Sequence, residues 1–145
     1  MKILLAVDGS DYTIKAVNFL ITHFQWFKDG PELYLLNVQL PIPPGIARHA
    51  GSLLGKVVID NYYKEEAEKV LAPALELLHD HNILFKSTYK VGDIAKEIGT
   101  YVSENKIDMI VMGSHGQGAL KNLLMGSVTT KVLATAFDVP VLIVR

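Results

Sequence analysis

Ile107-Asp108-Met109-Ile110-Val111-Met112-Gly113-Ser114-His115-Gly116-Gln117-Gly118, with Gly126-Ser127 eight residues further on, is the most informative stretch of the chain. Its first half, Ile107 to Met112, is a short apolar run that reads as a buried strand. A glycine-rich loop follows, and Gly126-Ser127 opens a helix expected to run to about Phe137. In an open α/β sheet, ligands bind beyond the carboxyl ends of the strands, so this loop falls on the functional edge. Glycines let backbone N–H groups approach an anion closely. The helix start adds free N–H groups and its dipole, and the Ser127 hydroxyl is one more donor. Phosphate binding is the physical reading. A plain tight turn, with Ser127 as a helix cap, is the alternative.

Outward from this stretch, Ile3 to Val7, Leu33 to Val38 and Val139 to Val144 are also apolar on both faces, as in a parallel sheet covered on each side by helices. Ile83 to Val91 alternates through Ile83, Phe85, Ser87, Tyr89 and Val91, which suits a strand nearer an edge. Helical spacings lie between these runs. The first starts at Ser10-Asp11, carries Ile14, Val17, Phe19, Leu20, Phe24 and Phe27, and stops at Gly30-Pro31. Phe24, Trp26 and Phe27 at its end read as core. The second, Val57 to His81, places Tyr62, Ala67, Val70, Leu71, Leu75 and Leu78 on one face, with Pro73 expected to kink it. The third opens at the cap Asp93 and carries Ile94, Ile98 and Val102. The alternation predicts an α/β fold, one domain over 1–145, with a mostly parallel five-stranded sheet and right-handed crossovers. Gln39 to Gly55, with Pro41, Pro43, Pro44, Gly45 and Gly51, is expected to be a long connection without periodicity.

Composition works by exclusion. Of 145 residues, half are hydrophobic and 20% charged, the profile of a globular domain rather than a disordered one. The formal charge of −1 shows no basic excess of the kind nucleic-acid binding brings, so no nucleic-acid partner is expected. There is no cysteine, which excludes disulfides, zinc–thiolate sites, iron–sulfur clusters and thiol catalysis. The apolar run at the N-terminus stops at Asp8, short of a signal peptide's roughly 7–15 residues. Without a run long enough to span a membrane, the expectation is a soluble, cytoplasmic protein with no membrane insertion.

Other chemistries fail on spacing. Gly113 to Gly118 has the gap of a Walker A loop, but Ala119-Leu120 follows where Lys-Ser/Thr is required. Gly116-Gln117-Gly118 is followed by Lys121 where a dinucleotide fingerprint needs glycine, and neither Gly-x-Ser-x-Gly nor His-Glu-x-x-His occurs. His79-Asp80-His81 reads as a solvated helix end rather than a metal site. His115 lies within the glycine loop, with no carboxylate visibly placed to orient it. Lys121 is read as a surface residue, although it could add charge near a phosphate.

The spacing Gly113-x2-Gly116-x9-Gly126-Ser127 resembles the ATP-binding signature of the universal stress protein family. Ile3 to Ser10 looks like that family's opening strand and turn, Asn37-Val38 falls where members often carry His-Val, and Val139 to Val144 looks like the closing strand. The resemblance implies a sheet order of 3-2-1-4-5 in a Rossmann-like fold of the adenine nucleotide alpha hydrolase type. It implies ATP as ligand, with Mg²⁺ as a companion, and a homodimer. Asp8 would then contact the adenosine part and the Val38 backbone would read the adenine edge. Met112, Gly113, Gly116, Gly126, Ser127 and Val128 complete the implied site, the glycines, Ser127 and Val128 holding phosphates. No catalytic residue or protein-held metal is implied.

That order puts Asp8 and Gly113 on either side of one crevice, where the chain reverses direction between strands 1 and 4. It also leaves the last strand at an edge with no charge in Val141 to Val144, so pairing with a second copy through 139–145 is expected. The function implied is a nucleotide-dependent regulatory module in stress response, with an unknown protein partner as an option. A slow ATP-hydrolysing or nucleotidyl-transferring enzyme, using Asp8 or His115 in the same pocket, is the rival. A dimeric scaffold without nucleotide is a third reading, which the intact glycine–serine signature opposes.

Overall fold

In the computed structural model, the backbone is described for all residues except 119–124 and 136–137, and the side chains for all but those and residues 44 and 46–54. Five parallel strands form one sheet: β1 (Lys2–Ala6), β2 (Glu32–Gln39), β3 (Phe85–Val91), β4 (Met109–Gly113) and β5 (Val141–Val144), in the order β3-β2-β1-β4-β5. The central place of β1 explains its sequence. Ile3, Leu4 and Leu5 are all fully buried, because both faces of a central parallel strand are covered. Each such side chain contributes roughly 1.5–3 kcal/mol by leaving water.

Two helices cover each face. On one side α1 (Asp11–Thr22) and α2 (Pro44–Asp80) pack Ala16, Val17, Leu20, Ala67, Leu71, Ala74 and Leu78 onto Ile3, Leu5, Leu33 and Leu35. On the other, α3 (Ile94–Asn105) and α4 (Ser127–Ala134) pack Ala95, Ile98, Val102 and Val132 onto Leu4, Leu36 and Ile110. Caps set two of the starts: Ser10 Oγ accepts from Thr13 N at 3.3 Å, and Asp93 Oδ1 accepts from Lys96 N at 3.1 Å. At the amino end of β2, far from the crevice, Tyr34 Oη donates to Glu32 Oε2 at 3.1 Å and accepts from Lys86 Nζ at 3.2 Å. That hydroxyl is the main reason the Glu32 carboxyl is held below its ordinary pKa.

The structure corrects several expectations. Gln39 to Gly55 is not one long loop: α2 begins at Pro44, and the break falls at Gly55, whose φ of 70° and ψ of 166° are non-helical. Pro73 lies inside the helix, and the kink is Gly55's. Glycine accommodates positive φ without a Cβ clash, so it is the cheaper place to bend. α1 ends at Thr22 rather than near Gly30, and a short 3-10 turn, Phe24–Trp26, follows. Phe24 and Phe27 pack against the core, but Trp26 is 70% exposed. Tyr62 is half exposed instead of core. α4 ends at Ala134, and Phe137 and Lys121 lie outside the described residues.

Candidate functional site

A crevice of about 680 Å³ opens at the carboxyl ends of the strands. That volume is in the usual range of small-molecule sites. Asp8, Val38, Met112, Gly113, Gly116, Gly126, Ser127 and Val128 all line it. The sheet order brings them together from the ends of β1, β2 and β4 and the start of α4.

Asp8 sits where β1 turns into α1. Its Oδ1 accepts from Ser10 N at 3.0 Å and from Thr13 Oγ1 at 2.8 Å, and the Thr13 hydroxyl also accepts from Asp8 N at 3.2 Å. One carboxylate oxygen is thus spent on fixing the turn, and Ser10 is the helix cap. The other faces the glycine loop: a Cβ on Gly116 would lie 2.6 Å from Asp8 Oδ2. Gly113 is equally confined, since its Cβ would lie 2.5 Å from Tyr12 Cβ. These glycines bring the loop backbone up to β1 and α1; at Gly113 the obstacle includes the Tyr12 backbone, and at Gly116 a side chain would have to displace the Asp8 carboxylate.

The N-cap of α4 is Gly126, so Ser127 is the first helical residue, and its exposed hydroxyl is not used as a cap. Thr129 Oγ1 donates to Gly113 O at 3.1 Å and to Ser114 O at 3.3 Å, and Gly126 N donates to Ser114 O at 2.8 Å. Ser114 N donates to Val144 O at 2.8 Å. These bonds tie the loop down, while Ser127, Val128 and Thr129 of the first turn of α4, where a helix has N–H groups without intrahelical acceptors, line the crevice. His115 lines the same space, with Nδ1 3.0 Å from Ser114 Oγ and its ring 5.0 Å from that of Tyr12.

A mostly apolar wall, with Gln39 and Glu66 as its polar members, comes from β2, α2 and α3. Leu40 and Ile42 after β2, Tyr62 and Tyr63 of α2, and Ile94 and Ile98 of α3 line it beside Val38. Ile42 N donates to the Tyr63 hydroxyl at 2.7 Å, and Gln39 Nε2 donates to Tyr63 O at 2.8 Å, which joins the end of β2 to α2. Sequence reasoning missed this wall. Tyr62 and Tyr63 both belong to it, and only the path of the Gln39–Pro43 link, bonded to Tyr63, brings α2 to the crevice. Among the described residues lining the crevice there is no Lys or Arg, and no group of three or more His, Cys, Asp and Glu capable of holding a metal ion is found among described residues. His79 and Asp80 are exposed at the end of α2, with His79 Nδ1 3.9 Å from Asp80 Oδ1. No helix among the described residues is long and apolar enough to cross a membrane.

The crevice thus joins an apolar wall to a loop whose glycines lie hard against Asp8, Tyr12 and the His115 backbone. Known proteins share this fold and length. The protein YxiE of Bacillus subtilis, a universal stress protein, is 32% identical over 99% of this chain and 98% of its own. The solved structure of MJ0577, a universal stress protein of Methanocaldococcus jannaschii, superposes with a TM-score of 0.79 at 28% identity, covering 99% of this chain and 94% of that one. The universal stress protein of Archaeoglobus fulgidus, solved in complex with dAMP, has a TM-score of 0.66 at 21% identity, over 100% of this chain and 98% of its own. The model of the universal stress protein family matches residues 1–145, and the chain belongs to that family.

Proposed function

We propose that the crevice binds ATP, and that the protein is a nucleotide-dependent regulatory module of the stress response, built as one domain over 1–145. The observation that carries this reading is the convergence of Asp8, Val38, Met112, Gly113, Gly116, Gly126, Ser127 and Val128 on one crevice of nucleotide size. The dAMP complex of the Archaeoglobus fulgidus protein supports an adenine nucleotide in this fold. Phosphates would lie against the amides that open α4 and the Ser127 hydroxyl, the ribose near Asp8, and the base against Val38. With no cationic side chain described in the lining, Mg²⁺ carried by the ATP would balance its charge, with Asp8 Oδ2 the nearest carboxylate to the loop. Binding alone suffices for a regulatory role. In this reading nucleotide biases a cytoplasmic homodimer joined through 139–145, or its choice of protein partner.

Native mass spectrometry of freshly purified protein tests the proposal. Co-purified ATP, ADP or AMP is expected, with turnover in a Mg²⁺-dependent assay near background. Nucleotide-free protein that fails to take up millimolar ATP would sink it, and rapid Mg²⁺-dependent turnover would replace the module with the enzyme.

A further inference from the structure

Where β1 gives way to its turn, the hydrogen bonding to β2 changes donor. Val7 N donates to Leu36 O at 2.9 Å, continuing the ladder one residue past β1. On the other side of β2, Gly92 N donates to Gln39 O at 2.9 Å. Within a strand, the N–H and C=O of one residue point the same way, and the direction alternates along the chain. Leu36 and Val38 therefore face β1, whereas Asn37 and Gln39 face β3. In a regular parallel ladder the next donor to Val7 O is Val38 N. Here Asn37 Nδ2 donates to that oxygen at 2.9 Å, and no bond from Val38 N to it is found among the described residues.

The Asn37 side chain is an expensive way to fill its position. It is 4% exposed, and its Oδ1 is buried with no partner among the described residues. An unpaired buried acceptor costs stability, and an apolar residue would avoid that cost. Core packing alone does not account for the amide, and Asn37 itself lines the crevice beside Val38, where an amide can act on the site.

We propose that Asn37 is a positioning residue for base recognition: its amide, seated on the Val7 carbonyl, keeps the ladder from closing at Val38 and so leaves the Val38 N–H and C=O to the edge of a 6-aminopurine. This deepens the nucleotide reading and rests on it. An N–H beside a C=O matches the ring acceptor and exocyclic amine of adenine, and a 6-oxopurine presents the opposite pair. If Asn37 is lost, Val7 O is released, the ladder closes by one rung, and the Val38 N–H is spent on the sheet.

Two readouts test this on the full chain: amide hydrogen exchange at Val38 by NMR, and ATP against ITP affinity by calorimetry. In the wild type, Val38 should exchange fast without nucleotide and slowly with ATP. In Asn37→Leu it should be protected without nucleotide, and the preference for ATP over ITP should fall about tenfold. Asn37→His, which restores an N–H donor, should recover both. If the Leu variant does not fold, Asn37→Ser, too short to reach Val7 O, takes its place. A protected Val38 amide in free wild type, or an unchanged ATP/ITP ratio in a folded variant, overturns the proposal. A wild type that binds neither nucleotide overturns the nucleotide reading and base recognition with it, while the exchange comparison reads separately whether Asn37 holds the rung open.

Discussion

Gly116 and Ser127 make opposite demands on the same anion site, one for the absence of a side chain and one for its presence. At Gly116 a branched side chain meets Asp8 Oδ2, so Gly116→Val must push the loop away from β1 or displace the carboxylate. At Ser127 the exposed hydroxyl is free of capping, so Ser127→Ala removes only what it gives a ligand. A charge-assisted hydrogen bond is worth about 1.5–3 kcal/mol, so Ser127→Ala should weaken ATP by roughly 10–100-fold and Gly116→Val by at least as much. Titration calorimetry that finds both affinities unchanged would remove the site assignment. The glycines were legible from sequence because their spacing is itself the signal. Asn37 and Thr13 were not. Asn37 acts on Val7, 30 positions away, and only the strand register brings the two together. Thr13 Oγ1 serves Asp8 from within a helix, where a buried threonine looks like any core residue.

An apolar period and a cap together mark where a helix starts and which face it buries, but not where it ends. α3 has both, with Asp93 at its start and Ala95, Ile98, Tyr101 and Val102 buried. Its end carried no readable signal: Lys106 closes the helix at φ 54° and ψ 54°, a left-handed conformation that usually belongs to glycine. Lys106→Gly should therefore raise stability by about 0.5–1 kcal/mol; a urea midpoint that falls would show that the Lys106 side chain contributes more than the strain costs. In α2 the face carrying Ala67, Leu71, Ala74 and Leu78 is legible, and only the start is not: Val57, Val58 and Tyr62 are exposed there, and Pro43, Pro44 and Gly45 before it imitate a loop. Pro44 is in fact a first-turn proline, where the missing N–H is no loss.

Across the whole molecule, the sheet order couples the ligand crevice to an edge. β4 borders the central strand on one side and β5 on the other, and Ser114 N, inside the glycine loop, donates to Val144 O at the end of β5. The same bonds fix which groups of β5 are available to a second copy. Ile110 N donates to Pro140 O at 2.9 Å and Ser114 N to Val144 O at 2.8 Å, so even-numbered residues of this strand turn their backbone inward. Val141 and Ile143 turn theirs outward. The other edge, β3, carries exposed Lys86 and also Lys90, charges that discourage strand addition, and β5 has none. If the proposed dimer forms by strand pairing through 139–145, a proline at position 143 removes an outward N–H and leaves the β4–β5 ladder whole. Ile143→Pro should then be monomeric by light scattering at micromolar concentration while keeping its far-ultraviolet dichroism. A variant that stays dimeric would place the interface elsewhere, and a wild type of monomeric mass would dispense with it. Because Val144 O holds Ser114, ATP affinity measured on the monomeric variant also reports whether pairing at this edge is felt in the glycine loop.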